Sequence, residues 1–245
     1  MIDTHCHLLP GLDDGPASQS DCILLARTLA DEGVTRVLCT PHYSSRYMTQ
    51  SARARHAFDR ARGDLRAIGV PLELDLAAEV SADRALRAPS PELHARAVAG
   101  RFLVVELVSR LPRGAPAEVL ERLEAEGLVP VFAHPERWLA VHGPVELLDG
   151  ARANGAWLQV VAPSLVGSSS AEVWEIAWEL VVSGRADLVG SDAHRPAGRR
   201  IRLRALADLI EARCGEARRA ELLEHAPARL LAGLAKPELA ASPEG

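Results

Sequence analysis

Three times in the second half of the chain a helix-forming run stops at a glycine and gives way, within four residues, to a short apolar run. Residues 115–126, Gly127 and the run 129–133 form the first such unit. Residues 145–154, Gly155 and 157–161 form the second, and residues 171–183, Gly184 and 188–191 the third. Glycine ends a helix there because it enters the left-handed region at no steric cost. Helix and strand alternating in this way imply parallel strands joined by right-handed crossovers. The first half carries the same cadence. A strand is expected at 2–6, followed by a helix with Ser18 as N-cap, Asp21 three residues on, apolar Ile23, Leu24 and Leu29, and a stop at Gly33. Further strands are expected at 36–40, at 72–76, where Leu72, Leu74 and Leu76 alternate with Glu73 and Asp75 and lead into Ala78-Glu79, and at 102–107. An arginine-rich helix spans 51–68, and residues 201–234 read as helical without another strand.

This gives an α/β chain of about seven strands, for which a barrel and an open doubly wound sheet both fit. No G-x-G-x-x-G turn follows the first strand, which speaks against a dinucleotide fold. There is no internal repeat or linker, so residues 1–235 are expected to form one domain and residues 236–245, rich in Pro, Ala and Glu, a frayed tail. The net charge is -5 and the arginines are dispersed, which excludes nucleic-acid binding by charge alone. The opening Met1-Ile2-Asp3-Thr4-His5 does not read as a signal peptide, and no stretch approaches the roughly 20 apolar residues of a membrane span. Cys6, Cys22, Cys39 and Cys214 form no C-x-x-C pair and read as reduced thiols. The expected setting is the cytoplasm, without membrane insertion.

Of the 9 histidines, His5, His7, His42, His134 and His194 fall at or just after expected strands, as do Glu79, Glu106 and Asp192. The C-terminal ends of parallel barrel strands converge on one face, so these residues can meet. His5 and His7 are two apart and face the same way on an extended strand. Asp192-x-His194 repeats that spacing. Imidazole and carboxylate together suit Zn, Fe or Mn. Taken singly, a strand-end histidine is more often a structural hydrogen bonder and a glutamate there is more often solvated. Asp13-Asp14-Gly15-Pro16 is a turn by composition, with Asp14 reaching back to a metal as the alternative reading. The joint placement points to a multinuclear metal site. His56, His94, His142 and His225 lie on helices or loops and read as solvated or structural. Trp174 and Trp178 read as a packing face, and Arg53–Arg66 as a solvated face or, alternatively, a homo-oligomer contact.

The stretches His5-Cys6-His7, Asp13-Asp14-Gly15-Pro16, Thr40-Pro41-His42, Glu79, Glu106, His134-Pro135-Glu136-Arg137 and Ser191-Asp192-Ala193-His194 resemble the PHP (polymerase and histidinol phosphatase) superfamily. Within it they most resemble the capsule-type protein-tyrosine phosphatases of the CpsB/YwqE-like group. The likeness runs from residue 1 to about 235. It implies a distorted TIM-like (β/α)7 barrel and three divalent metals, usually Mn, with Fe and Zn also accepted. Carried over by motif, His5, His7, Glu79 and Asp192 would hold one metal. Glu79 would bridge to a second, completed by Glu106 and His134, and Asp14, His42 and His194 would hold the third. Arg137 resembles the family's phosphate-binding arginine. Arg199 matches the spacing of a second, with Arg200 a close rival. After the strand 157–161 this chain has Val161-Ala162-Pro163, where the group usually has Asn and small polar residues. Cys6, between two ligands, reads as packing.

The activity so implied is hydrolysis of phosphotyrosine on a partner protein by a metal-activated hydroxide, with His42 as a candidate acid for the leaving group. The implied partner is a tyrosine autokinase that regulates capsule or exopolysaccharide synthesis. The alternative is a small-molecule phosphomonoesterase, such as one acting on histidinol phosphate. A nuclease-type domain is opposed by the charge. A phosphocysteine route needs Cys-x5-Arg, and the residues six beyond the cysteines are Leu12, Thr28, Ser45 and Ala220.

Overall fold

The computed structural model describes residues 1–195 and 202–237. The strand segments are β1 (Ile2–Cys6), β2 (Arg36–Cys39), β3 (His42–Tyr43), β4 (Glu73–Leu76), β5 (Glu79–Ser81), β6 (Phe102–Glu106), β7 (Val129–Ala133), β8 (Trp157–Val161) and β9 (Leu188–Gly190). Every pairing between them is parallel. They form two sheets, β1-β2-β4 and β3-β5-β6-β7-β8-β9. The two sheets share two staves, because β2 runs into β3 across Thr40-Pro41 and β4 into β5 across Ala77-Ala78. Backbone bonds carry the pairing over both breaks: Thr40 N–H donates to Cys6 O (2.9 Å), Ala77 N–H to Cys39 O (2.9 Å) and Glu79 N–H to Pro41 O (3.1 Å). Seven staves result, at the places the alternation of strand and helix indicates.

The seam between β9 and β1 is where the barrel is distorted. No ladder forms there, only one parallel bridge between Cys6 and Ala193 and the bonds Asp192 N–H to His5 O and His7 N–H to Ala193 O, both 2.9 Å. The register of β1 also slips between Asp3 and Cys6. A buried carboxylate takes the place of the missing rungs: Asp3 Oδ1 accepts from Ser191 N–H (2.8 Å) and from His5 N–H (3.2 Å). Gly190 is required at this seam, because a Cβ on it would lie 2.5 Å from the Cβ of His5.

The strand periodicity of two sorts side chains into two layers. Outward residues such as Leu103, Val105, Phe132, Leu158 and Val160 pack in the larger cluster beneath the helices. Inward residues Phe102, Val104, Val131, Trp157 and Leu188 form a second cluster, which Ala226 and Leu230 of the helix Ala226–Leu231 close from below. Glu106 lies two residues beyond Val104, and Gln159 two beyond Trp157, so each continues the inward face above that apolar plug. Polar groups therefore gather at the C-terminal mouth.

Several helices differ from the expected ones. The helix Pro135–His142 starts directly after β7, with Pro135 in its first turn, where proline's missing N–H is harmless. Residues 145–154 begin as a 3-10 turn (Val145–Leu148) before the α-turn Asp149–Ala153. Short helices Ala82–Arg87, Ser90–His94 and Ala162–Leu165 occur in addition to the expected ones. Ser18 caps the helix Gln19–Asp31 by accepting from Asp21 N–H. Trp174 and Trp178 both donate their indole N–H to Leu165 O (3.1 and 3.0 Å), which makes them a packing face. All four cysteines are free, and Cys6 is buried in the core. At the start of the expected tail, Lys236 is anchored: its Nζ donates to Ala156 O (2.6 Å) and pairs with Asp187 Oδ2 (2.8 Å). The remainder, 238–245, lies outside the described residues. Among the described residues no helix is long and apolar enough to cross a membrane.

Candidate metal centre

The mouth gathers every side chain expected to ligate. His7, Asp14, His42 and His194 form one set whose candidate ligand atoms lie within 4.8 Å of one another. His5, Glu79 and His134, then His5, His7 and Asp192, then His42, Glu79 and Glu106 form three more. Glu79 joins two of these sets. It is almost wholly buried, with Oε1 2.7 Å from His134 Nε2 and Oε2 3.0 Å from His42 Nδ1, 3.2 Å from His7 Nε2 and 3.4 Å from His5 Nε2. Asp192 Oδ1 stands 3.7 Å from His5 Nε2 and 3.8 Å from His7 Nε2. Asp14 Oδ1 reaches His42 Nε2 at 3.6 Å and His194 Nε2 at 3.4 Å. The rings of His7 and His194 stack at 3.9 Å between centroids.

Backbone geometry aims these groups. His134 and Asp192 are non-glycine residues with positive φ, 35° and 52° respectively. That conformation is uncommon outside glycine and concentrates at functional sites. It turns the chain at the ends of β7 and β9 so that both side chains enter the basin. In the Asp-Asp-Gly-Pro turn, Gly15 approaches the His7 carbonyl so closely that a Cβ would sit 2.4 Å from it.

Neighbouring groups fix the tautomers. His5 Nδ1 donates to Gln159 Oε1 (2.7 Å), and Gln159 is itself oriented by donating Nε2 to Thr4 O (3.0 Å) and Thr4 Oγ1 (2.8 Å). His7 Nδ1 donates to Asp13 Oδ2 (2.8 Å), and His194 Nδ1 to Asp192 O (2.9 Å). Each neutral ring then presents an Nε2 lone pair to the basin. The Nε2 atoms of His5 and His7 are 3.3 Å apart, and the buried Glu79 Oε2 faces both, at 3.4 and 3.2 Å. Acceptors crowded against acceptors repel unless a proton or a cation lies among them, so the donor set fits divalent metals.

The proton affinities follow from the same crowding. Burial lowers the pKa of His5 and His7, but the carboxylates around them outweigh it: Glu79 and Asp192 for His5, Asp13 and Glu79 for His7. Both end raised. Burial likewise opposes the charge on Glu79, yet the surrounding imidazoles of His5, His134 and His42 hold it well below the usual carboxylate range. Glu106 is pushed up by burial and by the charge of Glu79. Burial would raise Asp13 too, but its bond with His7 brings it down to about 2.

Arg137, in the first turn of the helix Pro135–His142, places Nη2 2.7 Å from Asp192 Oδ2, at the rim of the basin. Arg199 and its rival Arg200 lie outside the described residues. Residues 162–163 are helical, and Ala162 is buried. His56 and His225 are exposed, His94 stands 3.8 Å from Glu126, and His142 bonds Ser109 O (2.8 Å), so none of the four enters the basin. Sequence reasoning missed Asp13, Gln159 and Tyr47. Asp13 sits one residue before the expected ligand Asp14. Gln159 was signalled only by being polar inside an apolar strand. Tyr47 stacks on His42, with centroids 5.5 Å apart and planes at 8°.

The chain is similar in sequence and fold to known proteins. The tyrosine-protein phosphatase YwqE of Bacillus subtilis is 31% identical over 201 residues, which cover 79% of this chain and 77% of that protein. The putative tyrosine-protein phosphatase CapC of Staphylococcus aureus is 26% identical over 208 residues, 84% of this chain and 82% of that one. A crystal structure from work on YwqE and on CpsB of Streptococcus pneumoniae, described as unique metal-dependent tyrosine phosphatases, superposes with a TM-score of 0.83 at 26% identity. It covers 97% of this chain and 98% of the other. The lactonase Lmo2620 of Listeria monocytogenes, at 10% identity and a TM-score of 0.55, shares the fold alone. Residues 1–232 match the family described as capsular polysaccharide synthesis, CpsB/CapC, and the chain belongs to that family.

Proposed function

We propose that this chain is a metal-dependent protein-tyrosine phosphatase that hydrolyses phosphotyrosine on a cytoplasmic partner. The convergence of the histidine and carboxylate side chains from separate strand ends, with Arg137 beside them, carries the reading. His5, His7, Asp192 and Glu79 would hold one ion, Glu79, Glu106 and His134 a second, and Asp14, His42 and His194 a third. Manganese is the first candidate, with iron and zinc accepted by the same nitrogen and oxygen donors. When bound, such ions supply acidified water and neutralise charge on the phosphoryl oxygens.

The chain's own groups do the rest. Arg137 keeps one Nη on Asp192 and has further N–H donors for the phosphate; guanidinium pairs with phosphoryl oxygens through parallel hydrogen bonds and stays charged. Arg199 is proposed as the second such group. His42 has Nδ1 3.0 Å from Glu79 Oε2, Nε2 towards Asp14, and Tyr47 stacked on its ring; as a ligand of the third ion it would have no free Nε2 proton, so its role as acid for the tyrosyl oxygen would require it to be unligated. Asp13 and Gln159 keep His7 and His5 in the tautomer that offers Nε2 inward. The proposed partner is a tyrosine autokinase of capsule or exopolysaccharide synthesis; the family's description supports the capsule setting.

The competing substrate is a small phosphomonoester such as histidinol phosphate. Parallel turnover of a phosphotyrosine peptide and histidinol phosphate by the metal-loaded protein separates them. The proposal requires the peptide to be preferred in kcat/KM, and preference for histidinol phosphate would reject it.

A further inference from the structure

A second concavity of about 260 Å³ lies beside the metal basin and has His42 as a shared wall. Its volume falls below the roughly 300–1,000 Å³ of small-molecule sites, so it suits a single side chain. The lining is small where the strands break, at Ala77 and Ala78, and on the facing helix, at Ala52. Two guanidinium groups border it. That of Arg96 is immobilised over the Tyr43 ring, 3.5 Å from the centroid, and donates to Glu92 O (2.7 Å) and Thr49 O (2.8 Å). Arg84 and Arg96 share one carboxylate, Glu92, at 3.8 and 4.0 Å. Arg55 is exposed, lies over the Phe58 ring at 5.3 Å, and has no carboxylate within 4.0 Å among the described residues. The charge on this wall is therefore not balanced from within.

The helix beneath makes the imbalance sharper. The helix Ser51–Ala67 has no acidic residue in its first turn, and Gln50 makes no side-chain cap bond. Helix N-termini favour negative charge, yet here Arg53 and Arg55 are placed near one. Arg53 is held by donating to Gly11 O (2.6 Å), which leaves Arg55 as the guanidinium that an anion arriving from outside would meet beside the helix end.

We infer that this concavity receives an aspartate or glutamate flanking the phosphotyrosine of the substrate, with Arg55 as its ion-pair partner. The inference rests on the phosphotyrosine reading of the basin. Because His42 belongs to both walls, a peptide with its phosphotyrosine in the basin need extend only a short way to place a neighbouring side chain against Arg55.

The test compares kcat/KM for phosphotyrosine peptides carrying Glu, Gln or Lys at the flanking positions on either side. 4-Nitrophenyl phosphate, which has no flanks, serves as the control. Wild type should prefer Glu over Gln by about 1.5- to fivefold, as an exposed ion pair allows, and the preference should shrink as salt is raised. Arg55→Ala should erase the preference, and Arg55→Glu should invert it in favour of Lys. Both variants should process 4-nitrophenyl phosphate like wild type. No acid preference in wild type, or a preference that survives Arg55→Glu, overturns the inference while leaving the phosphatase reading intact. Failure of wild type to hydrolyse the peptides and 4-nitrophenyl phosphate alike overturns both.

Discussion

Replacing Asp13 by asparagine isolates what a neighbouring carboxylate contributes to the basin. Asp13 Oδ2 accepts from His7 Nδ1 (2.8 Å) and from the His42 backbone N–H (2.9 Å), and Oδ1 accepts from Gly15 N–H (2.9 Å). Three donors converge on two oxygens, so an amide in either orientation sets an N–H against an N–H. Loss of a charge-assisted bond costs about 1.5–3 kcal/mol. The depressed pKa gives a consistent figure: a fall from 3.8 to about 2, at about 1.4 kcal/mol per unit, is on the order of 2 kcal/mol. For a chain of this length that lowers Tm by about 4–8 °C.

The sign in pH follows from the depression. The contribution is fully present above the unfolded pKa near 4 and is lost as pH falls through about 2. Wild type and Asp13→Asn should therefore differ in stability near neutrality and converge in acid. His7 loses the group that fixes its tautomer, so metal affinity should fall by about 10- to 100-fold. Thermal denaturation of metal-stripped protein at several pH values, followed by calorimetric titration with Mn, measures both effects. An Asp13→Asn protein with wild-type Tm and wild-type metal affinity would refute the reasoning.

Other perturbations separate packing from chemistry. Gly190→Ala puts a Cβ 2.5 Å from the His5 Cβ and should destabilise by about 1–3 kcal/mol through overpacking. A thermal scan with unchanged Tm would show that the seam is looser than the structure describes. With metal supplied to saturation, Arg137→Ala should reduce kcat/KM on phosphotyrosine peptide by at least tenfold, with Arg137→Lys restoring only part of it. Equal kinetics for all three proteins would remove Arg137 from phosphate binding. Because the pKa values of His5 and His7 are raised, protons compete with metal at a higher pH than for ordinary imidazoles. Mn affinity should fall steadily from pH 8 to pH 6, and a flat titration would contradict the assigned donors.

The strands, and the gathering of candidate ligand side chains at one mouth, were legible in the sequence from short-range pattern, whereas the grouping of those side chains around three ions is implied by the family resemblance. Apolar runs after a helix-ending glycine mark β7, β8 and β9, and a polar residue at a strand end has few places to go but the barrel mouth. What depends on closure was not legible. The breaks at Thr40-Pro41 and Ala77-Ala78 and the side-chain seam around Asp3 are set by how the ring meets itself. In the helix Pro135–His142 the residues of the His134-Pro135-Glu136-Arg137 motif serve both as chemistry and as a helix start, proline in a first turn being a helix signal. Asp13 and Asp14 are neighbours in one turn, and the sequence does not say which faces His7. The close approach of Gly15 to the His7 carbonyl decides that only in three dimensions. Gln159 lies in an apolar strand, and its role appears only once His5 is seen 2.7 Å away.

Cations held in the basin are proposed to drive phosphotyrosine hydrolysis. Turnover of a phosphotyrosine peptide should vanish when the purified protein is stripped with chelator, and should return in proportion to the manganese, iron or zinc restored. Full activity in the stripped protein would contradict that role.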